Sequence, residues 1–250
     1  MDVSLYQSAA AMNATERWQD MIAENLTSAS VPGMRKQDIT FSDVEASQAA
    51  GAGGANCVIP TATTSLDFQP GELHPAGPMD FAIEGKGFFT VQLPNGQHGY
   101  TRDGEFHLNA TGQLVTKMNY PVLSDSGPLQ FDANNSGAIN VSATGEVSQA
   151  NLSGGTDQKG KLQITEFKNP RLLTMTRGGN FIAADPAAQP SADAGSKIRQ
   201  GYSEAANSSP TLEMSGLITA MRMFETNQKV MSMQNDRMTK VISDLGTPAS

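Results

Sequence analysis

Residues 210–245 read PTLEMSGLITAMRMFETNQKVMSMQNDRMTKVISDL, and the spacing within them decides the fold. Leu217, Phe224, Met231, Met238 and Leu245 recur every seven positions. Met221, Gln228, Asn235 and Ile242 each follow a member of that series by four residues, and Met214 extends the companion series toward the amino terminus. Both series fall on one stripe of a helix with a mean period of about 3.5 residues, which suits a coiled coil. Nothing in the same helix covers the stripe. The pattern therefore predicts that the only other long helical segment, at the opposite end of the chain, packs against it.

That segment is expected to run from about Ser4, read as its cap, to Leu26. Leu5, Ala9, Met12, Ile22, Ala23 and Leu26 share a broad face, interrupted by Thr15, Glu16 and Gln19. Val31-Pro32-Gly33 ends it, because proline cannot extend the hydrogen-bond ladder and glycine tolerates the turn. An Ala-, Gly-, Ser-, Thr- and Pro-rich stretch within residues 37–78 reads as an extended, weakly ordered connector.

Strand grammar begins near Asp80. Phe88 to Leu93, the turn Pro94-Asn95-Gly96, Tyr100-Thr101, Asp103-Gly104 and Phe106 to Leu108 have hairpin spacing. The stretches from Leu108 to Leu114 and from Val141 to Val147 repeat one strand-turn-strand template, with Ala-Thr-Gly at the same place in each. Further strands are expected over Lys161 to Phe167, Leu172 to Thr176 and Phe181 to Ala183, and a loop over Ala184 to Ser196. Phe88, Phe89, Phe106 and Tyr120 read as core. Arg102-Asp103 reads as a solvated turn, with an intersubunit ion pair as the alternative.

The expected fold is thus α+β: amino- and carboxy-terminal helices pairing as a coiled-coil-like stalk, with a central all-β domain. The expected parts are an assembly helix and turn over 1–36, a linker over 37–78, the β domain over 79–205 and a second assembly helix over 206–250. Charge follows the same division. Residues 1–36 and 210–250 carry net charges of −1 and 0, so the remainder holds −7 of the total of −8. Near-neutral helices suit burial in an assembly, whereas an acidic middle argues against a nucleic-acid surface.

Catalytic and cofactor signatures are missing from the pattern. His74, His98 and His107 lack metal-ligand spacing, and no Cys or carboxylate cluster flanks them. Gly85-Lys86-Gly87 is not completed to a dinucleotide fingerprint, and Gly51 to Gly54 lacks the Lys-Ser/Thr of a phosphate loop. Cys57 is the only cysteine, which leaves no intramolecular disulfide. The reading is a non-enzyme with no catalytic, cofactor-binding or metal residues and no cofactor. No run of 18 apolar residues occurs and Met1-Asp2-Val3-Ser4 is no secretory leader, so direct membrane insertion is not expected and any export is expected without a cleaved signal peptide.

Ala23-Glu24-Asn25-Leu26 followed by Pro32-Gly33-Met34-Arg35-Lys36 resembles the amino-terminal signature of flagellar rod and hook proteins. The blocks from Phe81 to Phe89 and from Tyr100 to Phe106, then Gly112 to Val115 and Tyr120 to Leu123, are similar to that family's central region in the same order. The block from Met221 to Lys229 is similar to its carboxy-terminal helix, and Glu204-Ala205-Ala206-Asn207-Ser208 loosely follows its Glu-x-Ser-Asn-Val. Glu24, Met34, Met221 and Met223 depart from the usual residues.

The resemblance implies a structural subunit of the bacterial flagellar basal-body rod that polymerises with helical symmetry into the axial drive shaft. It implies localisation in the periplasm-spanning basal body and export through the flagellar type III apparatus. Expected partners are other copies, neighbouring rod and hook proteins, the export apparatus and the surrounding rings. Alternatives are the hook protein and, outside the family, a surface adhesin on a coiled-coil stalk.

The expected assembly interface comprises Leu5, Met12, Ile22, Leu26, Met214, Leu217, Met221, Phe224, Gln228, Met231, Asn235, Met238, Ile242 and Leu245. Its many methionines suit either non-equivalent contacts with neighbours or an ordinary helix core. Gln228 and Asn235 are either buried amides that fix register or solvent-facing residues.

Overall fold

The computed structural model describes residues 3–46, 57–132, 137–151, 155–176, 178–192 and 195–246. The chain forms two compact units, one of Met1–Thr27, Gln37–Asp67 and Ser208–Ser250, the other of Ser28–Lys36 and Phe68–Asn207.

The first unit combines helix α1 (Val3–Ser28), helix α2 (Pro210–Gly246) and a hairpin of β1 (Gln37–Ala46) and β2 (Cys57–Leu66). Pro210 opens α2 at the first helical turn, where its missing N–H costs nothing. The helices run antiparallel. Asn227 reaches Thr15 Oγ1 at 3.5 Å, the Ile22 Cδ1 atom packs where Gly216 has no side chain, and Ser208 donates to the Asn25 carbonyl at 3.5 Å. Their shared core is small: Met21, Ile22 and Ala220 are buried, with Trp18, Ile39 and Leu217 packed against them.

The hairpin corrects the connector expected over residues 37–78. Its strands pair from Gln37↔Leu66 to Ala46↔Cys57 without a break, and residues 68–78 already belong to the second unit. Asp38-Ile39-Thr40-Phe41-Ser42 alternates polar and apolar residues, and Thr61, Thr63 and Thr64 are β-branched, as a ladder favours. Composition averaged over the whole stretch hides that alternation behind the Gly/Ala-rich residues 47–56, which lie outside the described residues. Asn25 locks the hairpin to α1, its side chain donating to the Gln37 carbonyl and accepting from the Gln37 amide, both at 2.8 Å.

The second unit is a β domain. Its strands are β3 (Leu73–Pro75), β4 (Phe81–Glu84), β5 (Phe88–Gln92), β6 (His98–Thr101), β7 (Phe106–Leu108), β8 (Leu114–Thr116), β9 (Leu123–Ser124), β10 (Gly127–Pro128) and β11 (Ile139–Val141). They continue as β12 (Glu146–Ala150), β13 (Thr156–Lys161), β14 (Ile164–Phe167), β15 (Thr174–Thr176), β16 (Asn180–Ile182), β17 (Pro190–Ala192), β18 (Lys197–Gln200) and β19 (Tyr202–Glu204). The main sheet has the order β15-β16-β6-β5-β14-β17, and the other strands form smaller ladders, among them β11-β12-β13, β18-β4 and β19-β3. The loop expected from Ala184 to Ser196 contains a 3-10 turn at Pro186–Ala188 and the edge strand β17.

Strand alternation puts Phe88 and Phe89 on opposite faces of β5. Phe89 joins Phe81, Val91, Phe106, Leu114, Val122 and further residues in the main core. Phe88 enters an aromatic group with Phe68, Phe167 and Phe181, its ring centroids 5.7–6.1 Å from theirs. Tyr120 is half-buried against the main core. The two repeated templates form equivalent hairpins. Asn109 N donates to Gln113 O and Ser142 N to Glu146 O, at 3.0 and 2.9 Å, with Gly112 and Gly145 at φ +79° and +87°.

Candidate functional site

Three segments of the second unit border the first along the chain: residues 28–36, 68–72 and 204–207. Backbone and side-chain bonds lace them together within the second unit. Gly33 N donates to Glu204 O at 2.7 Å, Ala205 N to Glu72 O at 2.8 Å and Asn207 N to Met34 O at 3.3 Å. The Asn207 side chain accepts from Lys36 N at 2.7 Å and donates to Gln69 O at 3.1 Å, so one residue touches all three segments.

Glu204 lies at the centre, fully buried. Its Oε1 accepts from Arg35 Nη2 at 2.7 Å and from Gly71 N at 2.9 Å, and its Oε2 from Arg102 Nη1 at 3.2 Å. The side chains of Arg35, Arg102 and Glu204 are 1%, 3% and 0% exposed. Arg102 also donates to the carbonyls of Ile83 and Gly85 and lies 5.0 Å above the Phe88 ring. Removing one member of such a buried set leaves an uncompensated charge, a loss of about 3–5 kcal/mol. Arg102 is therefore neither a solvated turn residue nor an exposed ion-pair partner.

Beside it, burial raises the Asp103 carboxyl to about 6, opposed by the hydrogen bond from the Glu105 amide and the charge of Lys117. Lys117 in turn pairs with Glu105.

Two glycines explain how the segments come so close. A Cβ on Gly33, at φ +67°, would lie 2.3 Å from the Arg102 carbonyl carbon, and one on Gly71 would lie 2.0 Å from Ala205 O. Next to the triad is a cleft of about 860 Å³, whose lining includes Phe68, Leu73, Phe88 and Phe167 together with Arg102 and Glu204. Since three donors already occupy the Glu204 carboxylate, the arrangement holds chain segments together and presents no free general base. His74, His98 and His107 are exposed and sit on separate strands. Among the described residues, no group of three or more His, Cys, Asp or Glu could hold a metal, and no helix is long and apolar enough to cross a membrane.

The second locus is α2. Leu217, Phe224 and Met231 are half-buried, but the companion series is not the one the spacing suggests. Ala220 is buried and Asn227 and Gln234 half-buried, three residues after each member, while Met214, Met221, Gln228, Asn235 and Ile242 are exposed. Residues three and four positions on flank a helix residue on opposite sides, by roughly 60° and 40°, so period alone cannot choose between them. Close approach chooses: Ala220 and Gly216 admit Ile22, and the Asn227 amide reaches Thr15, whereas the bulkier methionines are left outside.

On α1, Ile22 is 1% exposed, and Met12 and Leu26 are half-buried. The side chains of Leu5 and Leu245 lie outside the described residues.

Taking about 100° per residue, Met214, Ile218 and Met221 point roughly 100–160° away from Ala220. Met238, Val241 and Ile242 continue the inner seam, within roughly 60° of Ala220 in projection, and are nevertheless 42–68% exposed. The helix thus carries two unlike uncovered apolar patches. The spacing finds Met214, Met221, Met238 and Ile242, but neither Ile218 and Val241 nor the separation into two faces. It misses Arg35, Arg102, Glu204 and Asn207 altogether, although each sits in one of the blocks that carry the family resemblance. A charged side chain within three residues of a turn glycine, as Arg35 is of Gly33 and Glu204 of Gly201, is the available signal.

Residues 82–149 match the family model described as the flagellar hook protein FlgE/F/G D1 domain, and residues 199–244 match the flagellar basal body rod FlgEFG protein C-terminal model. The chain is 31% identical to the flagellar basal-body rod protein FlgF of Caulobacter vibrioides, over 98% of this chain and 99% of that protein. It is 32% identical to FlgF of Mesorhizobium japonicum, over 99% of each, and 29% identical to FlgF of Salmonella typhimurium, over 93% and 94%. A β domain in which three of the signature blocks meet at one buried triad, and these full-length similarities, lead to one conclusion: the chain belongs to the flagellar basal-body rod protein family.

Proposed function

We propose that this chain is a structural subunit of the flagellar basal-body rod and polymerises head-to-tail, with helical symmetry, through its terminal helices. The observation that carries the reading is the pair of unlike apolar patches on α2, Met214/Ile218/Met221 and Met238/Val241/Ile242, each residue 42–68% exposed. Exposed apolar surface favours association. A contact joining one patch to a different surface on the next copy is heterologous, and with a rotation between copies that does not close a ring, repeated addition gives a filament.

In this reading α2, about 55 Å long at 1.5 Å per residue over its 37 residues, is covered on one side by α1 and elsewhere by neighbours in a coiled-coil-like arrangement. The exposed Gln228 and Asn235 then set register between copies. The partners are further copies and neighbouring rod and hook subunits, with the export apparatus and the surrounding rings met on the way to and around the rod. The role is structural, in keeping with a family that is not enzymatic.

The test is assembly of the full chain, alone and with rod subunits, followed by sedimentation and electron microscopy. Met214→Lys with Met221→Lys is expected to keep native helicity by circular dichroism and to lose pelletable polymer. Polymer at the wild-type level in that variant overturns the assignment of the helix patches.

A further inference from the structure

We propose that Glu204 is a positioning residue for assembly: with Arg35 and Arg102 it forms a clasp that sets the register of the three laced segments, at no net gain in folding stability. The inference rests on the assembly role proposed above and adds to it a residue set outside the helices.

The chemistry of the clasp argues against a purely stabilising purpose. Two guanidinium groups share one carboxylate, and all three side chains are taken out of water. Arg35 Nε and Nη1 are buried without a hydrogen-bond partner in the structure, and buried donors left unmet are costly. Apolar side chains of similar volume would fill the same space without that cost. What they would not supply is direction.

The carboxylate accepts from residues 35, 71 and 102, which lie on three separate stretches of chain, and each donor must present its N–H at one place. Gly33 and Gly71 press backbone against backbone, against Arg102 and Ala205 respectively, so a slip of one residue would drive a side chain into a carbonyl group. Asn207 repeats the logic two residues on from Glu204. Shape and charge therefore select one register. An apolar plug would hold the segments together but tolerate neighbouring registers, and a subunit that must repeat identically along a filament cannot.

The experiment compares full-length wild type, Glu204→Gln, and the apolar triple Arg35→Met, Arg102→Met, Glu204→Leu. Thermal midpoint, amide exchange at Gly33 and Gly71, and polymer yield are read on each. In Glu204→Gln the midpoint is expected to fall and both amides to exchange at least tenfold faster. In the triple variant the midpoint is expected to lie within a few degrees of wild type while polymer yield drops at least tenfold.

A triple variant with both native midpoint and native polymer yield overturns the proposal. If the triple does not fold, Arg35→Lys takes its place, since it keeps the charge but loses the guanidinium fork. It is expected to fold and to lose polymer severalfold, and wild-type yield overturns the proposal. Wild type that forms no polymer counts against the assembly role instead. The clasp is then judged by exchange alone: faster exchange in Glu204→Gln supports it and unchanged exchange overturns it.

Discussion

The two units of this chain solve the burial problem in opposite ways. The β unit closes over a core of twelve buried apolar residues and a second, aromatic group, and places even its charged residues Arg35, Arg102 and Glu204 inside. Among the described residues, the helical unit has three in its buried cluster and leaves Met214, Ile218, Met221, Met233, Met238 and Ile242 largely exposed along α2. Its hairpin has two strands, a number that is marginal in water without further packing. The lesson is that, among the described residues, one unit buries its apolar side chains within itself and the other leaves a row of them exposed along α2.

That contrast can be broken most forcefully at its centre. Glu204→Ala should destabilise the β unit by about 3–5 kcal/mol, because two buried guanidinium groups lose the carboxylate they share. A thermal or urea midpoint within error of wild type would mean that the triad is not buried as described. A smaller effect belongs to the helical unit. Ile22→Ala empties the centre of the helix contact and should cost about 2–3 kcal/mol there. Native-state hydrogen exchange should show α1 and α2 losing protection while the strands β5 and β6 keep theirs; equal loss in both would merge the two units into one cooperative block.

Asp103 sharpens the comparison through pH. Its folded-state value of about 6 lies above the ordinary 3.8, so the folded chain binds the proton more tightly than the unfolded chain. Its contribution to stability is therefore most favourable below the unfolded value and declines as pH rises through the folded value. Asp103→Asn keeps the acceptor for the Glu105 amide and removes the charge. It should raise the midpoint above pH 7, by an amount on the order of 1–2 kcal/mol, and leave it near wild type at pH 4. A gain of the same size at both pH values would refute the electrostatic account.

Smallest of all in the monomer is Met221→Lys. On an exposed face it should change stability by less than about 0.5 kcal/mol while diminishing assembly. A large fall in the monomer's midpoint would show that the methionine face is internal packing after all.

Legibility followed the same divide. The helices were readable because period and termination are local: Pro210 and the Val31-Pro32-Gly33 stop sit within a few residues of the observed ends. The strands around Phe88 and Phe106 and the repeated hairpins were readable for the same reason, through alternation and glycine turns. The hairpin over residues 37–66 was not. Pairing partners there lie across a Gly/Ala-rich stretch, and its composition outweighed the short alternation on either side.

Residue order along this chain was enough to establish two amphipathic end helices, a turn-rich β middle and a family signature, since each depends on neighbours a few positions apart. It also named a companion series on one flank of the heptad line of α2, that of Met214, Met221 and Ile242. Only folding decided which flank Ile22 and Thr15 would cover, because that choice turns on how closely two backbones approach at Gly216 and Ala220. The junction was decided in the same way. Glu204 is separated by 169 and 102 positions from the arginines it binds. A charge becomes a core residue only when distant charges are brought to it and water is excluded, and no local pattern can report that.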